Sequence, residues 1–284
     1  IAGATLSGCA GTLLYNHADW LLTRQVDQYF DLTRSQRSFV SARLGTLLER
    51  HRHDALPQYE DVIHQAAARI QRGLTGEDVE WVFRQYDHLR VDLLARFALD
   101  GADFLRLVRD PQVAHVQRAL QKRLAEQEAL LREPLQTRLA ARKDRLLALV
   151  REWLGPVSHE QEQQITESAM AFPDTVPIMY AHQLRRNDQL IALLELRMQP
   201  DTPDKLRAWL IEQETDPSFL EITRQLRHHL KGLLLALDRM ATPVQRRHLL
   251  SKLDDLAHTV RKLHHTYGGH SPTSIHNQGE AAIG

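Results

Sequence analysis

The stretch from Asp110 to Trp153 reads DPQVAHVQRALQKRLAEQEALLREPLQTRLAARKDRLLALVREW, and it decides the fold. Leu120, Leu124, Leu131, Leu135, Leu139, Leu146 and Val150 recur along it at steps of four and seven, which line one face of an α-helix. Asp110-Pro111 opens the stretch as an N-cap followed by proline at the first helical position. Gly155-Pro156 closes it, and Pro134 is placed to kink it or split it in two.

The same grammar extends in both directions. Upstream, helices are expected over Tyr15–Phe30, from Thr33 to about Leu56 where Pro57 restarts the chain, and over Tyr59–Arg72. Gly73-Leu74-Thr75-Gly76 reads as a turn, and the helix after it runs from Glu77 toward Leu99, with Asp100-Gly101 expected to kink or end it. Downstream, starts are marked by Ser158, Thr202-Pro203, Asp216-Pro217 and Thr242-Pro243. Strand-like alternation rich in Val, Ile and Thr is missing. The expected fold is all-α: about eight to ten helices, long and antiparallel, in a single body over residues 15–267. A flexible N-terminal tether (9–14) precedes the body and a flexible tail (268–284) follows it, because the apolar pattern fades after Gly268.

One local pattern recurs. Thr33-Arg34-Ser35-Gln36, Ser158-His159-Glu160-Gln161 and Thr242-Pro243-Val244-Gln245 each place a hydroxyl three residues before a glutamine at the start of an apolar-periodic run. This is a capping box: the hydroxyl accepts from the backbone N–H three residues on, and the glutamine reaches back to the cap N–H.

Charge and composition exclude several classes. Lys+Arg and Asp+Glu both total 36, so no global field attracts a polyanion, and nucleic acid is not an expected partner. Apolar residues at 43% and charged residues at 25% describe a chain that folds around a core. The apolar runs are too short to span a bilayer.

The lone cysteine carries the address. Leu6-Ser7-Gly8-Cys9 matches the lipobox of bacterial lipoproteins, an aliphatic residue and two small ones before a cysteine. Small side chains let a membrane peptidase close on the backbone, and the thiol takes the diacylglycerol. Residues 1–8 then read as the remnant of a signal peptide, and Cys9 as a lipidated membrane anchor. Each buried methylene of an acyl chain contributes about 0.8 kcal/mol, so two or three chains hold stably. Ala10, where an inner-membrane lipoprotein often has Asp, points to the periplasmic face of the outer membrane.

Leu32-Thr33-Arg34-Ser35-Gln36 has the form L-T-x-x-Q, and in this it resembles small helical periplasmic stress chaperones of the Spy and CpxP type, which carry the motif twice. Ala241-Thr242-Pro243-Val244-Gln245 is a near match with alanine first. A broader resemblance covers roughly residues 6 to 200 and is to an uncharacterised family of proteobacterial lipoproteins. It rests on Tyr15-Asn16 with Asp19-Trp20, on Leu32-Thr33 with Gln36, on His51-Arg52 before Leu56-Pro57-Gln58-Tyr59, and on Trp153-Leu154-Gly155 before Ser158 and Gln161. The resemblance implies a helical lipoprotein and brings no catalytic residues.

Histidine, with 16 copies, is the most suggestive side chain for chemistry. His51 and His53 flank Arg52 on different helix faces, a poor chelate. His228-His229, His258, His264-His265 and His270 gather toward the C-terminus. No H-E-x-x-H, C-x-x-C, G-x-S-x-G or phosphate-binding glycine loop occurs, and neither metal nor other cofactor is expected. The expected function is a non-enzymatic interaction protein: a lipid-tethered chaperone, adaptor or envelope-assembly factor with a protein partner or client. The alternatives are a metal-assisted enzyme using histidines and a purely structural envelope lipoprotein. The expected partner surface is the segment holding Trp20, Tyr29, Phe30, Thr33, Gln36, His51, Arg52, Pro57 and Tyr59, because aromatics with arginine anchor interfaces. The competing reading makes those aromatics core and Thr33 and Gln36 simple caps.

Overall fold

A computed structural model describes residues 8–211 and 216–265. Among them the chain forms twelve helices and no strand: α1 (Gly8–Asn16), α2 (Ala18–Phe30), α3 (Arg34–Asp54), α4 (Leu56–Arg72), α5 (Gly76–Leu107), α6 (Asp110–Arg132), α7 (Leu135–Leu154), α8 (His159–Ala171), α9 (Val176–Glu195), α10 (Thr202–Ile211), α11 (Pro217–Met240) and α12 (Pro243–His265). Residues 9–14, expected as tether, belong to α1, and the tail 268–284 lies outside the described residues.

Local chemistry sets the boundaries. Pro134 splits the long stretch into α6 and α7. Asp216 caps α11 by accepting from the backbone N–H of Ser218 (2.7 Å) and Phe219 (3.0 Å). Gly155 ends α7 at a positive φ of 80°, which a side chain would resist.

Two boundaries differ from expectation. The cap of α6 is Arg109, and Asp110 is its first helical residue, paired with Arg197 from beyond α9. Helix α5 runs unbroken through Asp100-Gly101 to Leu107. Gly101 serves packing here: a Cβ at this position would fall 3.0 Å from the Leu206 side chain of α10. With Ala98 and Ala102 buried beside it, Gly101 lets α10 lie close against α5.

The helices pair mostly across long sequence distances: α4 with α12, α5 with α10, α6 with α9, and the neighbours α2 with α3 and α7 with α8. Three apolar clusters result. The largest gathers Leu32, Val40, Ala102, Leu105, Val116 and Leu194. A second joins Leu147, Val150, Ile165, Leu233 and Leu237, and a third joins Leu56, Val260 and Leu263 with Tyr15 and Tyr59 beside them.

The capping boxes do more than cap. Gln36 accepts the Thr33 N–H on its Oε1 at 3.0 Å, as a capping box requires. Its amide nitrogen crosses to the start of α6, donating to Gln112 Oε1 (2.9 Å) and to the Leu107 carbonyl that ends α5 (2.7 Å). Gln112 answers in kind. It accepts the Arg109 N–H (3.0 Å) and donates to Gln36 Oε1 (2.8 Å) and to the carbonyls of Phe30 (2.8 Å) and Asp31 (3.1 Å) at the end of α2.

The same device recurs in the second half. Gln161 donates to Gln245 Oε1 (2.9 Å) and to the Met240 carbonyl that ends α11 (3.0 Å). Gln245 donates to Gln161 Oε1 (2.9 Å) and to the Pro156 carbonyl just past α7 (2.7 Å). All four glutamines are buried. Each lock uses both amide hydrogens and the oxygen of both side chains, so four helix ends meet with a terminal N–H or carbonyl of each paired. Next to the second lock, Asp238 accepts from the Leu74 N–H (2.8 Å) and from Arg246 (2.7 Å), fastening the α4–α5 turn to α11 and α12.

Removing one amide of a lock strands its partner. Gln161→Ala and Gln245→Ala should each lower unfolding stability by about 1–3 kcal/mol. The double variant should cost less than the sum, with a coupling of roughly 0.5–3 kcal/mol, read from urea unfolding. Strictly additive losses would show that the two amides do not act as a unit.

Candidate functional site

Besides the first lock, the expected partner segment holds a second enclosed polar site, the α3–α4 joint. Ala55 ends α3 and also starts α4, with Pro57 in the first turn of the new helix. Proline fits there because that turn has no intrahelical use for its N–H. The bend swings Tyr59 back over the last turn of α3, where His51 and Arg52 are buried. From the other side, α1 brings Tyr15.

These residues form a chain of hydrogen bonds. Tyr15 Oη lies 2.6 Å from His51 Nδ1, and His51 Nε2 lies 3.1 Å from Tyr59 Oη. Tyr59 also meets the imidazole edge-on, with ring centroids 5.3 Å apart. The Arg52 guanidinium sits over the Tyr15 ring, 5.2 Å from its centroid. Helix α12 joins through His264, whose Nδ1 is 3.0 Å from the Arg52 carbonyl, and through Arg261, which donates to Glu60 at 2.6 Å. A small indentation beside the imidazole is lined by Tyr59, Leu89, Asp92, Leu93 and Arg96 among others.

The electrostatics favour the neutral forms of Tyr15, His51 and Tyr59. Burial pushes the His51 pKa down, and the positive charges of Arg96 and Arg52 push it further. Burial raises the Tyr15 pKa to about 12, although Arg52 pulls against it. Tyr59 is likewise raised, first by burial. A neutral imidazole has one donor and one acceptor nitrogen, and here each faces a phenol. With both ring nitrogens engaged, the arrangement is a clasp joining α1, α3 and α4, not an exposed general base.

The other expected partner residues separate. Tyr29 and Phe30 turn to the largest cluster, where Phe30 meets Phe104 edge-on at 5.0 Å and Tyr29 accepts a hydrogen bond from Arg123. Thr33 and Gln36 belong to the first lock, and Pro57 is half-buried in the joint. Trp20 is exposed, with Arg24 5.6 Å from its ring centroid. Gly8 and Cys9 lie in α1, whereas Leu6 and Ser7 fall outside the described residues.

Among the described histidines, His228 and His229 approach ring to ring at 5.9 Å, and His264 and His265 at 5.0 Å. His229 also lies against Phe172. His53, His258 and His265 are exposed, and His270 lies outside the described residues. Among the described residues, no three His, Cys, Asp or Glu side chains gather as a metal site would need.

Two features escaped the sequence reading. The fourth glutamine box, Arg109-Asp110-Pro111-Gln112, lacks the cap hydroxyl; its signal was an apolar residue, Val108, before the cap, matching Leu32 before Thr33, and both are buried. The Tyr15–His51–Tyr59 chain had no signal in spacing, because Tyr15 arrives from a separate helix.

Residues 28–217 match the family of unknown function DUF6279. The chain belongs to that family. The matched span holds the first lock, the α3–α4 joint and Ser158-x-x-Gln161, and stops at the start of α11. No curated protein and no solved structure matches the chain.

The clasp makes stability depend on pH. The folded state holds the His51 pKa below its unfolded value of about 6.5, so the unfolded chain takes up the proton first. The contribution from His51 is intact above that value and is lost as pH falls below it toward the depressed folded pKa. Between about pH 7.5 and about pH 5.5 the parent should lose stability more steeply than His51→Gln, which does not titrate but still hydrogen-bonds. Parallel slopes in urea unfolding would remove His51 from the account.

Proposed function

We propose that this protein is a lipid-anchored helical interaction protein of the cell envelope, held on the periplasmic face of the outer membrane through Cys9. On this reading it works by binding other proteins, as a chaperone, adaptor or assembly factor, and no catalytic step is assigned to it. The observation that carries the reading is the position of the single cysteine, directly after Leu6-Ser7-Gly8 at the head of a helical body. No helix among the described residues is long and apolar enough to cross a membrane, and on this reading the lipid on Cys9 supplies the anchor.

The locks support the binding role. Leu32-Thr33-x-x-Gln36 has the form carried twice by the small periplasmic chaperones named above, and here a second glutamine box closes on it through Gln112. A frame fastened at its helix ends, with its apolar side chains divided among three modest clusters, leaves large apolar groups such as Tyr86, Leu99 and Met198 on the outside. Such groups suit contact with partly folded chains or a partner surface.

Cys9→Ala should move the protein from the membrane pellet to the soluble periplasmic fraction, and a variant that stays in the pellet would place the anchor elsewhere. Photo-crosslinkers placed at Tyr86 and Met198 should then trap protein in cells. A broad ladder of products indicates a chaperone and one discrete product an adaptor or assembly factor. Absence of any crosslinked protein would favour a purely structural lipoprotein.

A further inference from the structure

Helices α1 and α2 meet at His17, whose φ of −108° and ψ of 16° bend the chain without breaking its hydrogen-bond ladder. The His17 N–H still reaches the Leu13 carbonyl (3.2 Å), and the Leu21 N–H reaches that of His17 (3.0 Å). One helical face therefore continues through the joint. Leu13, His17, Trp20 and Arg24 follow each other at steps of four, three and four along it, and all four are exposed. Leu14 flanks the line. Leu13 keeps 63% of its surface, Trp20 56% and Leu14 47%. The opposite face is committed to the body: Tyr15 to the His51 clasp, Thr23 buried, and Val26 and Phe30 against the largest cluster.

We propose that this stripe is a second membrane contact, lying on the bilayer surface beside the lipid anchor. The proposal rests on the lipid-anchor reading of Cys9. Given that anchor, geometry leaves the stripe little choice of neighbour. Cys9 belongs to the same helix, four residues before Leu13, a rise of about 6 Å along the axis. An acyl chain entering the bilayer from Cys9 holds Leu13 and Leu14 at headgroup depth.

The chemistry of the stripe fits that place. Leucine side chains suit the boundary of the acyl region, and an indole suits the interface, where its ring is apolar and its N–H meets water and headgroups. Arg24, 5.6 Å from the Trp20 ring, offers a guanidinium to lipid phosphate. No carboxylate stands on the line itself; Asp19 is beside it and half-buried. Two weak signals together hold a protein on a membrane better than one. Because the opposite face of α1 and α2 is fixed to α3 and α12, a stripe lying on the bilayer would also fix which way the body points.

The test uses the lipidated protein reconstituted into phosphatidylethanolamine–phosphatidylglycerol vesicles whose acyl chains are brominated near the headgroup. The emission of Trp20 is taken as the difference between the parent and Trp20→Phe. Bromine should quench it at least about twofold relative to unbrominated vesicles. Leu13→Ser with Leu14→Ser should relieve the quenching while the protein stays with the vesicles through its lipid. Circular dichroism checks that both variants keep their helices. Protein that floats with the vesicles but shows unquenched Trp20 overturns the stripe and leaves the anchor standing. Protein that does not float at all overturns the anchor reading, and the stripe with it.

Discussion

A side-chain amide that hydrogen-bonds in two directions holds this molecule together at its helix ends. Every helix leaves four N–H groups at one end and four carbonyls at the other without intrahelical partners. Where several ends meet away from water, each unpaired group is costly. Glutamine meets this demand at the junctions. Its oxygen serves the N-terminus of its own helix, and its nitrogen serves both the facing glutamine and the carbonyl end of another helix. Only one orientation of each amide satisfies all these contacts, so the lock fixes the relation of four helix ends at once. The apolar clusters then need only fill the space that the locks define.

The all-α class was legible because its causes are local. Pro134, Gly155, Ser158, Asp216 and Thr242 act on their immediate neighbours, and each stands at a helix boundary in the structure. The boxes at Thr33, Ser158 and Thr242 were legible for the same reason. Their pairing was not, since the glutamines of the two locks are separated by 76 and 84 residues and nothing in either box names its partner. Gly101 was misread because a glycine that ends a helix and one that admits a neighbouring helix look alike until the neighbour is known. Asp110 was misread because the cap is the residue before it, Arg109, whose backbone N–H is taken by Gln112.

The segment expected as a binding surface shows what aromatic content alone can say. Tyr15, Tyr29, Phe30 and Tyr59 turn their rings toward the apolar clusters, and the three tyrosines use their hydroxyls as ties. Trp20, from the same cluster in sequence, keeps its ring outside. Helical phase separates them: Tyr15, Val26 and Phe30 fall on the inner face of α1 and α2, and Leu13 and Trp20 on the outer one. The bend at His17 made that phase hard to carry from one helix to the next in the sequence, and the intact backbone ladder restores it.

The pairing of α4 with α12 bears on the order in which the chain can fold. Arg261 reaches Glu60 across 201 residues, and His264 reaches the Arg52 carbonyl across 212. Contacts of such separation close large loops and form late. During synthesis α4 is complete long before its partner exists, so its apolar face, with Leu56 and Ile63, must wait uncovered until the last helix is made. The largest cluster and the first lock close without α12, so it is α4 that stays open to aggregation and proteolysis for as long as α12 is delayed.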